Sequence, residues 1–230
     1  MKWNPLSVME AIRKYHNDVK RTLIQTIVPP GAHVLDVGCG VGGDVNKWRQ
    51  ISAVRVDMCD PDETSVLEAQ RRSAGWATCR VFCGDITECP HELYDVICYN
   101  FSIQYIFQTR DLFTRSVRAI RDRLGQGGSV IGCVPNSDRI LMFLDFKDSL
   151  GNFMVRKMET TGFGGLGEKL YVQLVDTPFY KNGPKSEPIA YKDLLVAEFK
   201  KHGIELVCWT PFAPLYEISQ MYAYFIFKSY

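Results

Sequence analysis

The chain has 230 residues, of which 46% are hydrophobic and 23% are charged, a composition typical of a globular protein with a sizeable core. Its 27 basic and 26 acidic side chains leave a formal net charge of +1, which excludes a strongly basic nucleic-acid-binding protein, so any such binding requires local patches. No apolar run is long enough to span a bilayer and the first residues lack the pattern of a secretory signal, so we expect an intracellular protein with no membrane partner.

The first predicted element is a helix over about residues 6–27, where Met9, Ile12, Val19 and Leu23 recur at helical spacing. After the helix-breaking "VPPG", short apolar strands alternate with amphipathic helices. Strands are predicted at 33–37, 52–59, 79–83, 94–99 and 129–134, with helices at 43–50, 62–74 and 109–124. Such alternation predicts a parallel sheet covered by helices on both faces.

The pattern changes after residue 150. The segments "NFMVRKMET" and "EKLYVQLVD" predict an antiparallel pair around a glycine-rich turn, and a helix at 190–202 and strands at 204–210 and 221–228 follow. We predict one domain over 1–230, with a core at about 32–135, an antiparallel insertion at about 150–180 and a carboxyl-terminal part at about 190–230. The fold class is a doubly wound, Rossmann-like α/β fold whose mixed seven-stranded sheet ends in an antiparallel hairpin.

Eight cysteines are spread along the chain without any CxxC pair, and most lie in apolar, strand-like runs. This pattern favours buried, reduced thiols over a disulfide framework or a zinc site. We therefore predict no metal centre.

The stretch "VLDVGCGVGGD" at 34–44 joins the first predicted core strand to a helix. Its four glycines remove side chains where ligands of such sheets bind, and the following helix offers free backbone N–H groups. The motif reads G-x-G-x-G-G, and glycine-rich turns between a strand and a helix also occur for packing alone, so the turn by itself does not identify the ligand.

Three aspartates at predicted strand ends narrow the choice of ligand. Asp36 precedes the first glycine, where a carboxylate repels a pyrophosphate but pairs with an ammonium group. Asp60 is placed to accept both hydroxyls of a ribose, and Asp85 is placed to accept the exocyclic amine of an adenine. An adenosine with an amino-acid tail and no pyrophosphate describes S-adenosylmethionine better than NAD. The alternative is that these aspartates are helix N-caps.

The longer stretch "VLDVGCGVGGDVNKW" resembles the opening motif of the mRNA cap guanine-N7 methyltransferases of eukaryotes and viruses, L-D-L-G-C-G-K-G-G-D-L-x-K-W. Four further stretches are similar to that family in the same order: "YHNDVKRTLI", "NFSIQYIF", "GCVPNSDRI" and "MYAYFIFK". The similarity covers essentially the whole chain. It departs from the family at Val41, which replaces a basic residue, at Gln104, which replaces a histidine, and at Asn100, which replaces a glutamine.

The resemblance implies a class I S-adenosylmethionine-dependent methyltransferase that releases S-adenosylhomocysteine. It also implies that Lys20 contacts the carboxylate of the methyl donor, and His16 is the one histidine that we place near this site. The residues expected to bind the donor are Lys20, Asp36, Gly38, Gly40, Asp44, Asp60, Asp85, Asn100 and Phe101.

The implied reaction is methyl transfer to N7 of the guanine in GpppN-capped RNA. Guanine N7 has a free lone pair and no proton to lose, so positioning suffices and we predict no catalytic acid or base. A cap pocket needs stacking surfaces and partners for the Watson–Crick edge of guanine, here Glu187, and Lys47 is a candidate phosphate ligand. The residues expected to bind the cap are Asn17, Lys47, Gln104, Tyr105, Pro135, Glu187 and Tyr222.

Other functions stay open on the sequence alone. A small-molecule N- or O-methyltransferase would share the donor site but lack an aromatic cap pocket. A methyltransferase-like module would bind RNA or a partner without turnover, and an NAD-dependent oxidoreductase is a remote third alternative. The short form of the family pattern suggests a viral capping enzyme, with triphosphatase or guanylyltransferase domains in the same polypeptide or a stimulatory subunit as partners. The expected location is the cytoplasm (viral factory or virion) for a viral protein and the nucleus for a cellular one.

Overall fold

The computed structural model describes residues 5–52, 54–142, 153–157, 165–174 and 183–230. Seven strands form a large sheet: β1 (His33–Val37), β2 (Arg55–Asp60), β3 (Cys79–Cys83), β4 (Tyr94–Asn100), β5 (Leu124–Pro135), β9 (Ile204–Pro211) and β10 (Tyr222–Ser229). Three strands form a small sheet: β6 (Phe153–Lys157), β7 (Lys169–Leu174) and β8 (Lys185–Pro188). The α-helices are α1 (Pro5–Ile27), α2 (Val45–Trp48), α3 (Glu63–Ser73), α4 (Arg110–Arg123), α5 (Ser137–Met142) and α6 (Lys192–Lys200). No helix in these ranges is long and apolar enough to cross a membrane.

The large sheet has the order β3-β2-β1-β4-β5-β10-β9. Strands β1 to β5 pair in parallel, whereas β10 is antiparallel to both β5 and β9. The strand order reverses between β1 and β4, and in sheets of this kind ligands bind outside the carboxyl ends of the strands at such a point. The topology therefore places the binding crevice after Val37 and Asn100.

Helices cover both faces of the large sheet, each with its own apolar core. On one face Ile24 of α1, Trp48 of α2 and Ala69 of α3 are fully buried against the sheet. On the other face Phe113 of α4 and Phe199 of α6 are buried in the same way. Successive strand residues point to opposite faces, so the parallel strands carry continuous apolar runs, which is the pattern that the sequence shows.

The small sheet packs beside the beginning of α1. A third apolar cluster joins Leu170 of β7 and Ile189 after β8 to Met9 and Ile12 of α1 and to Met221 just before β10. The packing of Met9, Ile12 and Met221 fixes the position of β8 relative to the carboxyl edge of the large sheet.

The structure confirms the doubly wound fold, the mixed sheet and the carboxyl-terminal antiparallel hairpin. β6 and β7 pair antiparallel, as the sequence predicts. Two elements were not predicted, α5 and β8. α5 follows "VPN", which is typical of a turn, and β8 has the sequence "KSEP", which lacks the apolar alternation of a strand.

A polar cluster centred on Asp57 joins the strands on the side of the sheet away from the crevice. Arg80 donates to Asp57 from Nε at 2.7 Å and Nη2 at 2.5 Å, and the Tyr94 hydroxyl donates at 2.9 Å. Burial raises the pKa of Asp57, but these hydrogen bonds outweigh it and lower the pKa. His33, Asp57 and Glu92 place possible metal-ligand atoms within 4.8 Å of one another. Arg80 also bonds Glu92 at 2.8 Å, so its guanidinium already fills the space between the two acids.

Candidate active site

The glycine turn after β1 lies directly against the segment that follows β4. Ser102 Oγ donates a hydrogen bond of 2.5 Å to the backbone carbonyl of Val37. Gly38 has a φ of +71°, and a Cβ at this position would overlap the Cβ of Ser102. Only glycine fits here, because a side chain would be strained in the left-handed region and would also collide with Ser102.

Asp60, at the end of β2, holds the glycine turn from the other side. Its Oδ2 accepts a hydrogen bond of 2.8 Å from the backbone N–H of Gly40, and its Oδ1 accepts one of 3.0 Å from the backbone N–H of Asp62. A Cβ added at Gly40 would meet no atom within 4 Å, so the space beside this turn is open. Because a carboxylate has about four lone-pair sites, Asp60 can accept further donors from a ligand in that space.

Asp36 of β1 is 2% exposed and points toward the helices α1 and α2. Its Oδ2 accepts a hydrogen bond of 2.8 Å from the indole N–H of Trp48. Burial raises the pKa of Asp36 and the charge of Asp44 raises it further, whereas the bond from Trp48 and the charge of Lys20 oppose this, and the net shift is upward. A carboxylate in this state is stabilised by an added cation, such as the ammonium group of a ligand.

Two lysines share one buried acid beside Asp36, and we call Lys20, Asp44 and Lys47 the lysine–aspartate cluster. Nζ of Lys20 lies 2.8 Å and Nζ of Lys47 lies 2.6 Å from Oδ1 of Asp44. Nδ2 of Asn100 donates to Oδ2 of Asp44 at 2.9 Å. Burial alone would raise the pKa of Asp44, but the charges of the two lysines lower it. With one negative and two positive groups, the ionised cluster has a net charge of +1.

Lys47 and Asn17 are bonded to each other and to further groups of the protein. Nζ of Lys47 donates to Asp44 at 2.6 Å, to Oδ1 of Asn17 at 2.9 Å and to the Gly43 carbonyl at 3.4 Å. Nδ2 of Asn17 donates to the Arg13 carbonyl at 2.9 Å. Each proton of the Lys47 ammonium group has an acceptor, and the side chain is buried. This geometry leaves no proton of Lys47 for a phosphate, whereas binding of the cap by Asn17 stays a prediction.

The chain leaves β4 in a strained conformation. Phe101 has a φ of +62°, and among the described residues no other non-glycine residue has a positive φ. Its N–H donates to the Cys133 carbonyl at 2.7 Å, and its carbonyl accepts from Nε2 of Gln104 at 2.9 Å. Its ring centre lies 5.7 Å from Nζ of Lys20. Strain of this kind is retained where the surrounding structure enforces it, commonly at binding sites. The Nε2 group of the buried Gln104 supports this backbone, and its contact with a base stays a prediction.

Asp85 follows β3 and shapes the turn there. Its Oδ1 accepts from the backbone N–H of Thr87 at 2.8 Å and from the Thr87 hydroxyl at 2.5 Å. Its Oδ2 accepts from Nη2 of Arg115 at 3.2 Å. The carboxylate therefore caps a turn, a role similar to the helix N-cap that the sequence left open as an alternative. Its contact with an adenine stays a prediction.

Tyr105, Glu187 and Tyr222 come from separate parts of the chain and lie near one another. Tyr105 follows β4, Glu187 lies on β8, and Tyr222 begins β10 opposite Pro135 of β5. Burial raises the pKa of Tyr105, and the charges of Glu187 and of Asp60 raise it further. Burial and then Glu187 raise the pKa of Tyr222 in the same way. The acid is itself 8% exposed. The charge of Glu187 therefore acts on both tyrosine hydroxyls, and that of Asp60 acts on Tyr105 as well.

His16 belongs to the aromatic wall of the crevice. Its ring centroid lies 6.1 Å from that of Phe101, 5.2 Å from that of Phe212 and 5.1 Å from that of Tyr222. Its Nε2 lies 3.0 Å from Oγ of Ser219. Burial, together with the charge of a neighbouring lysine, lowers the pKa of His16 to about 4. The imidazole is therefore neutral at physiological pH and offers a flat, uncharged surface.

Sequence reasoning missed Trp48 and Ser102. Trp48 ends the Lys-Trp pair of the motif that carries the family resemblance, so a signal was present, but the hydrogen bond to Asp36 was not inferred from it. Ser102 gives no signal, because its contact with Val37 joins residues 65 positions apart.

The family model of the mRNA (guanine-N(7))-methyltransferase domain matches residues 4–171. The chain belongs to this family. The match contains the glycine turn, the lysine–aspartate cluster and Asp60, and it confirms the resemblance seen in the motifs. Glu187 and Tyr222 lie beyond the matched residues of the cap guanine-N7 methyltransferase family model.

Individual family members are similar at moderate identity. The mRNA cap guanine-N(7) methyltransferase of Aspergillus niger is 28% identical over 186 residues, and the match covers 58% of this chain and 30% of that protein. The enzyme of the same name from Schizosaccharomyces pombe is 29% identical over 145 residues, which cover 56% of this chain and 40% of that protein. That of Caenorhabditis briggsae is 26% identical over 200 residues, or 76% of this chain and 51% of that protein. The chain spans about a third to a half of the length of these family members.

Solved structures share the fold across the whole chain. An S-adenosylmethionine-dependent methyltransferase from Clostridium acetobutylicum has a TM-score of 0.63 at 14% identity and covers 94% of this chain and 91% of its own. An amino pentose methyltransferase from Micromonospora echinaspora, solved with S-adenosylmethionine bound, has a TM-score of 0.62 at 16% identity and covers 100% and 98%. At these identities the likeness establishes the fold alone, and it confirms the class I methyltransferase fold expected from the sequence.

Proposed function

We propose that this chain is an S-adenosylmethionine-dependent methyltransferase that modifies N7 of the guanine in 5′-capped RNA. The observation that carries the proposal is that one acid from each proposed half-site acts on the same tyrosine. Beyond the effect of burial, the charges of Glu187 on β8 and of Asp60 beside the glycine turn both raise the pKa of Tyr105. Family membership supports capped RNA as the acceptor.

The proposed donor site matches the charges of an amino-acid tail. Lys20, in a cluster with a net charge of +1, faces the carboxylate of the tail, and Asp36 faces its ammonium group. Asp60 accepts the ribose hydroxyls, Gly40 lets the ligand approach the backbone closely, and Gly38 lets the turn pack against Ser102. The open space beside Gly40 and the upward pKa shift of Asp36 both fit a cationic, adenosine-bearing ligand.

Four further residues complete the proposed donor site. Asp44 and Asn100 act through Lys20, since the amide of Asn100 and the ammonium of Lys20 both bond the Asp44 carboxylate. Phe101 closes the site beside Lys20. Asp85 is proposed to accept the adenine amine at the oxygen that Arg115 approaches at 3.2 Å.

The proposed cap pocket offers what a guanine requires. Glu187 accepts from the N1–H and the N2 amine of the base, and the rings of Tyr105 and Tyr222 provide stacking surfaces. Methylation turns the guanine into a cation, which an acid and aromatic faces stabilise. Pro135, opposite Tyr222, borders the same pocket.

The proposed reaction needs alignment and no proton transfer. S-adenosylmethionine supplies a methyl group on a positively charged sulfur. The N7 lone pair forms the new N–C bond while the C–S bond breaks and its electron pair stays on sulfur, so the positive charge passes to the guanine. The protein therefore contributes by holding the reacting atoms in line and about 3–3.5 Å apart, the separation of a near-attack arrangement.

The test is methylation by the isolated chain. Incubation with methyl-labelled S-adenosylmethionine and GpppA should give label at guanine N7, identified by digestion and chromatography. GpppA already methylated at N7 should take up none. Absence of label on both GpppA and capped RNA would reject the proposed acceptor, while retained binding of the donor would leave the donor site standing.

Two variants locate the cap pocket within this assay. Tyr105→Ala should abolish labelling, whereas Tyr230→Ala, which removes a tyrosine that is 73% exposed at the far end of β10, should not. Triphosphatase or guanylyltransferase domains and a stimulatory subunit remain predictions of the resemblance, and adding such a protein to the assay tests them.

A further inference from the structure

Lys47 is a buried cation that the proposed reaction does not use. It is 4% exposed, and its ammonium group bonds Asp44, Asn17 and the Gly43 carbonyl. A second lysine, Lys20, already pairs with the same acid. One carboxylate thus serves two lysines, of which Lys20 is the one proposed to meet the methyl donor.

We propose that Lys47 is a positioning residue for the methyl donor, which keeps Lys20 available to the carboxylate of the donor by neutralising Asp44. This inference rests on the donor site proposed above. Lys47 does not touch the donor in this arrangement, and it acts through Asp44.

The charges of the lysine–aspartate cluster decide how strongly Lys20 attracts an anion. With Lys47 present, the charge of Asp44 is shared at distances of 2.6 Å and 2.8 Å between two ammonium groups, and one positive charge remains for an anion. Without Lys47, Asp44 and Lys20 form a neutral pair. The carboxylate of the donor would then meet a compensated lysine, with the negative charge of Asp36 nearby. Burial makes the difference larger, because charges interact more strongly away from water.

Bonds on both sides hold the Lys47 ammonium group in place beside Asp44. Asp44 immediately precedes α2, and Lys47 lies one turn into it, so both groups move with the glycine turn. Asn17 of α1 anchors the other side of the ammonium group at 2.9 Å. Lys20 is on the same helix as Asn17, one turn further on. The bonds of Lys47 therefore fix the distance between Asp44 and the helix that carries Lys20.

A ligand pair separates this role from a merely structural one. S-adenosylhomocysteine carries the amino-acid tail, and 5′-methylthioadenosine has the same adenosine without the tail. In calorimetric titrations, Lys47→Met should bind S-adenosylhomocysteine about ten- to a hundredfold more weakly than the wild type, the loss typical of one hydrogen bond to a charged group. Its affinity for 5′-methylthioadenosine should stay within about twofold of the wild type. Lys200→Met, which removes an exposed lysine of α6, is the matched control and should change neither affinity.

Lys47→Gln removes the charge but keeps a hydrogen-bond donor, so it should disturb the packing less than Lys47→Met. It should show the same selective loss of affinity for S-adenosylhomocysteine. Equal losses for both ligands in both variants, whether through misfolding or through a distorted turn, would assign Lys47 a structural role and overturn the inference. Unchanged affinity for both ligands would overturn it too. If the wild type binds neither ligand, the proposed donor site itself fails, and that result is distinct from the other two.

Discussion

Replacing Asp60 with alanine should weaken the binding of S-adenosylhomocysteine by about two to four orders of magnitude. In the proposed complex the Asp60 carboxylate accepts two ribose hydroxyls, and each hydrogen bond to a charged group contributes about 1.5–3 kcal/mol. The sum of about 3–6 kcal/mol converts to this range, because every 1.4 kcal/mol is about tenfold in affinity. Asp60 also accepts hydrogen bonds from the backbone N–H groups of Gly40 and Asp62. These groups lie at a partly exposed site, where water can replace the carboxylate in the variant.

Calorimetry measures the loss, and a neighbouring acid provides the control. Asp62 caps α3 by accepting from the Ser65 N–H at 3.1 Å, so Asp62→Ala should lower the free energy of unfolding by about 1 kcal/mol. Its affinity for S-adenosylhomocysteine should not change. Asp60→Asn, which keeps one oxygen, should fall between Asp60→Ala and the wild type.

If Asp60→Ala, shown to be folded by its thermal unfolding, binds S-adenosylhomocysteine within about threefold of the wild type, then the ribose does not lie on Asp60. The bonds from Gly40 and Asp62 would then be the whole function of this carboxylate.

Three further predictions concern Gly38, Asp36 and Tyr105. Gly38→Ala should lower the free energy of unfolding by about 2–4 kcal/mol, because the alanine is strained in the left-handed region and its Cβ overlaps Ser102. An unchanged midpoint of unfolding in urea would contradict the close approach of Ser102 to Gly38. The wild-type affinity for S-adenosylhomocysteine should fall as the pH falls through the raised pKa of Asp36, because protonation removes the charged partner of the ligand's ammonium group. The affinity of Asp36→Asn should not depend on pH in this way. If it does, another group is responsible for the titration. Tyr105→Ala should bind S-adenosylhomocysteine normally and fail to methylate GpppA, so full turnover would place the guanine elsewhere.

Much of the fold was predictable because its signals are local. Strands buried on both faces show continuous apolar runs, and the bounds predicted for β1 and β3 are those observed. β8 was missed because "KSEP" has no strand pattern of its own. It is a strand because β7 supplies its hydrogen bonds and the apolar cluster around Ile189 holds it, which are tertiary effects.

The site was predictable where the end of a strand defines a residue's place. Asp60 and the glycine turn meet as expected, because adjacent parallel strands end at the same edge. Lys47 was assigned to a phosphate because one turn of helix after the glycines suggests an exposed cation. The sequence does not show that Asn17 on a distant helix and Asp44 enclose it, since those contacts depend on how α1 docks.

The two halves of the crevice draw on different parts of the chain, apart from Tyr105 and Pro135 of the acceptor half, which belong to the core. The groups proposed for the donor come from α1 and from the ends of β1 to β4, and several of them bond one another, such as Lys20 and Asn100 with Asp44. Glu187 and Tyr222, proposed for the acceptor, belong to antiparallel strands added later in the chain. Changes confined to these late strands can therefore alter the acceptor half of the crevice while leaving the groups proposed for the methyl donor in place.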